Sequence, residues 1–199
     1  GEYPSLKYPN SKDKELMIKF GIEPKSFLKQ VVEFSPDIKI NPDAKPLKLN
    51  SRNMNSSELI HILPTKLSSS QMGLVYSALK NLGGQVNFND LLIELELTED
   101  NNSKWTLINI FEYVKKLNLF SESPTLMNEL VQHGKMSIIN LRGIAPDIQG
   151  MVAYKLINDL FTERKKNNIP PFFLVIEECH NFIPERSFGE AKSSAIIRQ

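Results

Sequence analysis

Cysteine is nearly absent from this sequence, with Cys179 as the single example among 199 residues. One cysteine excludes an intrachain disulfide and a zinc site built from several cysteines, and it is typical of a protein in a reducing cytosol. No apolar run approaches the roughly 20 residues that a membrane-spanning helix needs. The residues after Gly1 do not form a signal peptide. The sequence therefore predicts a cytoplasmic protein without a membrane partner.

A strong charge of one sign is also absent. The 24 basic and 23 acidic residues leave a net charge of +1, so no global basic field attracts nucleic acid. Any contact with DNA has to come from local patches or from a channel formed by several subunits. Hydrophobic residues make up 41% and charged residues 24% of the chain, which is ordinary for one large globular domain or a core with an insertion.

A phosphate-binding loop is the third absence. None of the nine glycines belongs to the pattern G-x-x-x-x-G-K-[ST], and Gly134-Lys135 is followed by Met136. The amides and the lysine of such a loop cradle phosphates, so residues 1–199 alone are expected to bind ATP very poorly and to be inactive. A chain that opens at Gly1 without Met, and a helical pattern that still runs at Gln199, predict a piece of a longer protein.

The strongest positive signal is the apolar run Phe172–Ile176, which follows two prolines and precedes Glu177 and Glu178. Five apolar residues without polar alternation predict a strand buried on both faces, as in parallel sheets. Such sheets place their ligands just beyond the carboxyl ends of the strands. Unpaired buried carboxylates are costly, so two of them at that edge indicate a cation or a reacting water nearby.

A hydrophobic strand followed by two acids is the pattern of a Walker B segment in nucleoside triphosphatases. Residues 176–184, Ile-Glu-Glu-Cys-His-Asn-Phe-Ile-Pro, resemble the Walker B block of the HerA family, the archaeal and bacterial DNA-translocating ATPases related to FtsK. Gly1-Glu2-Tyr3, followed by Pro4, resembles the end of that family's Asp-Pro-His-Gly-Glu-Tyr segment. In the family the phosphate loop lies upstream of this segment, so the resemblance places it before Gly1.

The resemblance implies roles for individual residues. Glu177 matches the acid that holds Mg²⁺, usually through its water shell, and Glu178 matches the acid that acts on the attacking water. His180, Asn181 and Glu2 match positions that sense the nucleotide or support the acids. A purely structural role stays open for His180 and Asn181.

Two arginines, Arg142 and Arg198, are candidates for stabilising charge on the transferring phosphoryl group, with ordinary surface arginines as the alternative. The family's own arginine finger is expected beyond Gln199. The resemblance further implies ATP and Mg²⁺ as cofactors, a homo-hexameric ring, and double-stranded DNA in the central channel. In archaea the family works with the nuclease NurA on DNA ends, so a NurA-like nuclease is the expected partner.

The resemblance and the hydrophobic pattern together predict an α/β fold of three segments. Residues 1–50 are expected to form part of a RecA-like P-loop NTPase core with a parallel sheet. Residues 51–134 change to a helical pattern and predict an inserted bundle of four or five helices. Residues 135–199 return to an α/β pattern and complete the core with the Walker B segment.

Local patterns predict elements inside the two core segments. The first is expected to hold short helices over Glu15–Phe20 and Ser26–Phe34 and an edge strand over Lys45–Asn50. The last is expected to hold a buried strand over Met136–Leu141 and a long helix that begins at Pro146. That helix and the Walker B strand would complete a right-handed crossover between parallel strands.

Capping residues mark the helices of the insertion. Ser68 with Gln71 resembles a capping box, and Gly83-Gly84 ends the helix that follows. Further helices are predicted to begin at Asn87, at Asn102 or Ser103, and at Ser123 or Pro124.

Two non-enzymatic functions compete with the motor hypothesis. Residues 68–120 offer three short helices that fit a winged-helix DNA-binding module, with Ser103–Leu117 as its recognition helix. That helix supplies few cations for duplex binding, and acids are dense just before it. The second non-enzymatic function is an adapter surface for a partner nuclease. The cations concerned are Lys104, Lys115 and Lys116, and the acids are Asp90, Glu94, Glu96, Glu99 and Asp100.

Overall fold

A computed structural model describes residues 3–52, 54, 56–83 and 87–179. The chain opens with a short 3₁₀ helix and then alternates between strands and helices. In chain order the elements are the 3₁₀ helix Tyr3–Lys7, α1 Lys14–Lys19, β1 Val31–Ser35, β2 Lys45–Pro46, β3 Leu49–Asn50, α2 Ser56–Ile62, α3 Ser69–Asn81, α4 Phe88–Leu97, α5 Asn102–Lys116, β4 Phe120–Ser121, α6 Met127–Leu130, β5 Met136–Ile139 and α7 Pro146–Lys165.

All strand pairs in the described residues are parallel, which confirms the predicted mixed α/β class and is consistent with a RecA-like core. Strand β1 lies between β2 and β5 in a three-stranded sheet. Phe34 is in register with Lys45 on one side and with Ile139 on the other. Strands β3 and β4 form a separate parallel pair. Parallel neighbours need a long crossover connection, and here β1 and β5 are joined through the helices α2–α6.

The first segment corrects two predictions. The helix predicted for Ser26–Phe34 is wrong, because the chain forms strand β1 from Val31. Its β-branched and aromatic side chains favour a strand once a parallel partner is present. The single strand predicted for Lys45–Asn50 is two short strands in different sheets. Helix α1 confirms the prediction for Glu15–Phe20 to within one residue.

The caps of the helical segment are mostly as predicted. Ser68 and Gln71 form the capping box, with the Gln71 N–H donating to Ser68 Oγ at 3.2 Å and the Ser68 N–H donating to Gln71 Oε1 at 2.8 Å. Asn87 caps α4 by accepting from the Asp90 N–H at 2.9 Å. The cap of α5 is Asn101, one residue before the predicted position. The last helix is shorter than predicted and covers only Met127–Leu130.

One continuous apolar cluster joins the sheet to the helices. It runs from Phe34 in β1 through the helices α2–α5 to Val152 and Leu156 in α7. The cluster contains residues from all three predicted segments. The division of the chain at residues 50 and 134 stays a prediction. Helix α7 begins at Pro146 as predicted and is the longest described helix. Within the described residues, no helix combines the length and the apolar character needed to cross a bilayer.

The strand predicted for Phe172–Ile176 is wrong in this structure. Residues 171–176 are in no strand, and Phe173 is fully exposed while Val175 is 77% exposed. An apolar run predicts burial, but a strand also needs a neighbour with which to pair, and no described strand pairs with this run. In the described sheet, β5 has β1 as its one partner, so the crossover predicted from β5 through α7 has no second strand there.

Candidate functional site

Tyr3 and Glu177 bring the two ends of the described chain together. Glu177 is the residue that most affects the pKa of Tyr3. Its negative charge, hydrogen bonding between the two side chains and a small degree of desolvation all raise that pKa above its ordinary value. Tyr3 opens the 3₁₀ helix, and Glu177 is the first of the two adjacent acids. The placement of the acid pair is therefore tied to the N-terminal helix rather than to a sheet strand.

The acid pair lies on an exposed turn. Glu177, Glu178 and Cys179 are all exposed, and Glu178 has a φ of 48°, in the left-handed region. A residue other than glycine costs roughly 1–2 kcal/mol in that region. Such strain is concentrated at functional sites, where the surrounding structure holds it in place. The turn keeps two carboxylates on consecutive residues within reach of solvent.

Magnesium fits a site of this kind better than a metal held by protein ligands alone. It prefers oxygen ligands and commonly takes only one or two carboxylates, the rest coming from water and phosphate. Glu177 and Glu178 supply such oxygens. Among the described residues, no group of three histidine, cysteine or acidic side chains is arranged to hold a metal ion. The acid pair therefore suits an ion that arrives together with a nucleotide.

A buried ion pair connects the N-terminal helix to the sheet. Lys7 Nζ lies 2.6 Å from Glu33 Oε2, with the two side chains 10% and 5% exposed. The second carboxylate oxygen, Glu33 Oε1, accepts from Asn140 Nδ2 at 2.7 Å. Burial raises the pKa of Glu33, but the hydrogen bonds from Asn140 and Lys7 and the Lys7 charge outweigh it, so the pKa lies below its ordinary value. Glu33 is thus held as a carboxylate.

The same network continues across the ends of two strands. Asn140 Nδ2 also donates to Asn41 Oδ1 at 3.1 Å. Asn41 Nδ2 in turn lies 3.0 Å from Ser35 Oγ and 3.2 Å from the Arg142 carbonyl oxygen. Ser35 ends β1, and Asn140 follows β5 directly. The network therefore occupies the carboxyl edge of a parallel sheet, where α/β proteins place their ligands.

The turn after β5 carries Arg142 at this edge. The Arg142 N–H donates to Asn140 Oδ1 at 3.0 Å, and its carbonyl is held by Asn41, so the backbone on both sides of its Cα is fixed. Gly143 follows with a φ of 81°, and a Cβ there would lie 2.6 Å from Ile40 Cδ1. Only glycine fits this turn without a shift of its neighbours. The Arg142 side chain is exposed beside the strand ends.

The structure thus places some of the predicted site residues and adds others. Glu2, His180, Asn181 and Arg198 lie outside the described residues. The contacts of Lys7, Glu33, Asn41 and Asn140 were not anticipated. Two sequence signals point to them in retrospect, an acid inside the apolar strand Val-Val-Glu-Phe and an asparagine directly after the run Met-Ser-Ile-Ile.

Comparison with known proteins adds one match. The profile of the family described as "Helicase HerA, central domain" matches residues 1–160. The matched part includes the 3₁₀ helix, the whole three-stranded sheet and most of α7. It ends before the acid pair at Glu177 and Glu178. No curated protein matches the chain.

Proposed function

The chain belongs to the HerA helicase central-domain family, an ATPase motor family, and on that premise we propose that it is part of an ATP-hydrolysing motor that moves along duplex DNA. The observation that carries the proposal is the contact between Tyr3 and Glu177. It joins the segment that resembles the end of the family's Asp-Pro-His-Gly-Glu-Tyr block to the segment that resembles Walker B.

The proposed roles follow from the chemistry of each group. Glu177, with its carboxylate held by the Tyr3 hydroxyl, provides oxygen ligands toward a magnesium ion, usually through water. Magnesium, when bound, neutralises charge on the phosphates of ATP. Glu178 orients the attacking water and accepts its proton. Arg142, on the turn after β5, is proposed to stabilise negative charge that develops on the transferring phosphoryl group, and Arg198 is a second candidate.

The assembly is proposed by analogy with the family. A homo-hexamer would thread double-stranded DNA through its channel, and a NurA-like nuclease would process the DNA ends. The chain's net charge of +1 means that phosphate contacts come from local lysines, arginines and backbone amides facing the channel. Binding of that kind fixes position along the backbone and carries little sequence information.

The test is Glu178→Gln in the intact protein. We expect ATP hydrolysis to fall at least about a hundredfold, since general base catalysis contributes 10²–10⁴-fold, while ATP binding is retained. Glu99→Gln, an exposed acid in the loop after α4, is the matched control and should hydrolyse ATP at the parental rate. Hydrolysis at the parental rate in Glu178→Gln rejects the assigned role.

The winged-helix alternative is disfavoured by the surroundings of Lys104. This lysine is buried, and its Nζ donates to the carbonyl oxygens of Glu96 at 2.9 Å and Thr98 at 2.8 Å. It therefore braces the corner between α4 and α5 instead of facing a DNA groove. Only Lys115 and Lys116 remain as cations on α5, and dense negative charge on α4 would repel phosphates.

The adapter alternative has one observation in its favour. Ile93 and Leu97 are exposed at a spacing of four residues on α4, so both lie on one outward face. Exposed apolar pairs on a helix suit contact with a protein better than contact with DNA. This role adds to the motor function rather than replacing it.

A further inference from the structure

We propose that Glu33 is a positioning residue that fixes the N-terminal 3₁₀ helix and the Arg142 turn relative to each other, and so sets the placement of Glu177 against Arg142. The inference rests on the proposed function for its catalytic consequence. Its structural part rests only on the geometry of the network.

The first branch runs from Glu33 to Glu177. Glu33 holds Lys7 at the end of the 3₁₀ helix, and Tyr3 at the beginning of the same helix holds Glu177. The rise of about 2 Å per residue separates the two by roughly 8 Å along a short rigid element. The Lys7 end is fixed from another side as well, because Ser26 Oγ donates to the Lys7 carbonyl at 2.7 Å. A shift of Lys7 therefore moves the partner of Glu177.

The second branch runs from Glu33 to Arg142. Glu33 Oε1 accepts from Asn140, whose own Oδ1 accepts from the Arg142 N–H. The second amide proton of Asn140 goes to Asn41, and Asn41 holds the Arg142 carbonyl. The Glu33 carboxylate thus fixes the orientation of both asparagine amides.

Only a carboxylate satisfies both branches. The partners of Glu33, an ammonium and an amide nitrogen, are both donors. A glutamine at this position would turn its own NH₂ group toward one of them and leave Lys7 buried without a counter-charge. Leaving one member of a buried ion pair alone is strongly unfavourable, so the site has to rearrange. Glu33→Gln should therefore loosen both branches at once.

A second buried ion pair provides the matched control. Lys155 Nζ lies 2.7 Å from Asp159 Oδ1, with side chains 5% and 19% exposed, but both residues belong to α7. Asp159→Asn removes a carboxylate that is paired with a buried lysine, as Glu33 is, without touching the strand edge. It separates a loss of stability from a loss of positioning.

The test uses the intact protein and two readouts. For Glu33→Gln we expect kcat for ATP hydrolysis to fall about tenfold to a hundredfold, because a catalytic group misplaced by about 1 Å can lose that much in rate. The KM for ATP should change less than about twofold. Asp159→Asn should lower the melting temperature and leave kcat at the parental value below both transitions. A parental kcat in Glu33→Gln, or an equal fall in both variants, overturns the proposal.

The second readout is native-state hydrogen exchange, which does not depend on hydrolysis. The Arg142 N–H bonds to Asn140, and the Phe27 N–H bonds to the Leu6 carbonyl at 3.0 Å, so the two amides report on the two branches. Glu33→Gln should speed hydrogen exchange at both amides about tenfold or more. Asp159→Asn should change the exchange rate of neither amide. If only one amide responds, the coupling is wrong. If the parent protein hydrolyses no ATP, the proposed function fails while this readout still decides the structural part.

Discussion

Glu177 raises the pKa of Tyr3, so a residue at the start of the chain interacts with one of two adjacent acids close to its end. The contact matters because the acids do not lie at the end of a sheet strand in this structure. The 3₁₀ helix that carries Tyr3 packs on β1. The candidate site is therefore assembled from a helix, a turn and the edge of the sheet.

Removal of the Tyr3 hydroxyl tests this contact. In Tyr3→Phe of the intact protein we expect ATP hydrolysis to fall severalfold with little change in melting temperature, since the side chain is exposed. In Glu177→Gln the pKa of Tyr3 should drop toward its ordinary value, because the negative charge that raises it is gone. Ultraviolet titration of tyrosinate, compared with Tyr3→Phe to identify the signal, measures the shift. An unchanged titration would show that the two side chains do not interact in solution.

The pH dependence of stability should report on Glu33. Its pKa in the folded protein lies below the unfolded value, which is about 4.3 for glutamate. The folded state therefore binds this proton less readily, and the contribution of Glu33 to stability is complete above about 4.3 and is lost as the pH falls through the folded value. Urea midpoints measured across that range should fall more steeply for the parent than for Glu33→Gln. Parallel curves would contradict the assignment.

Asp159 is expected to behave in the opposite way. Burial raises its pKa, the charge of Lys155 lowers it, and the nearby acids Glu58 and Glu163 raise it further, with a net increase. The folded state then binds a proton at Asp159 more readily than the unfolded state does. The charged carboxylate therefore lowers stability above the folded pKa, and this loss disappears as the pH falls toward the unfolded value near 3.9. Asp159→Asn alone should destabilise, because it leaves Lys155 buried without a partner, but by less than the roughly 3–5 kcal/mol expected for a fully buried pair, since burial already disfavours the Asp159 carboxylate.

Replacing both members of that pair is the informative control. The double variant Lys155→Met, Asp159→Leu leaves no unpaired charge and no longer has to remove two charged groups from water. Its stability should equal that of the parent or exceed it by about 1–4 kcal/mol. Urea unfolding of the two single variants and the double variant gives the interaction directly. A double variant as unstable as Asp159→Asn would show that the ion pair is needed for packing.

Gly143 and Gly150 offer a matched pair of glycine substitutions. Gly143→Ala meets both a positive φ and a contact of 2.6 Å with Ile40, so a loss of at least about 1–2 kcal/mol is expected. Gly150 lies inside α7 with open space around it, so Gly150→Ala should stabilise by up to about 1 kcal/mol. Free energies of unfolding in urea measure both. A stable Gly143→Ala would mean that the turn at Arg142 adapts to a side chain.

The sequence predicted elements whose signals are local. The capping box at Ser68 and the proline at Pro146 each lie within a few residues of the helix that they begin. The local pattern around β1 predicts a helix, because its partner β5 lies about a hundred residues away and no local pattern shows that pairing. The same holds for the site. Adjacent acids are visible in a sequence, but the partners of Glu33 come from the N-terminal helix and from the end of β5.

The shared apolar cluster has a consequence for how the chain loses its structure. Phe34 of the sheet and Val152 of α7 belong to the same packed interior as the helices between them. Because one packed interior joins these parts, heat should melt them together in one cooperative step. A disturbance of β1 would then reach the helices of the same interior through direct packing.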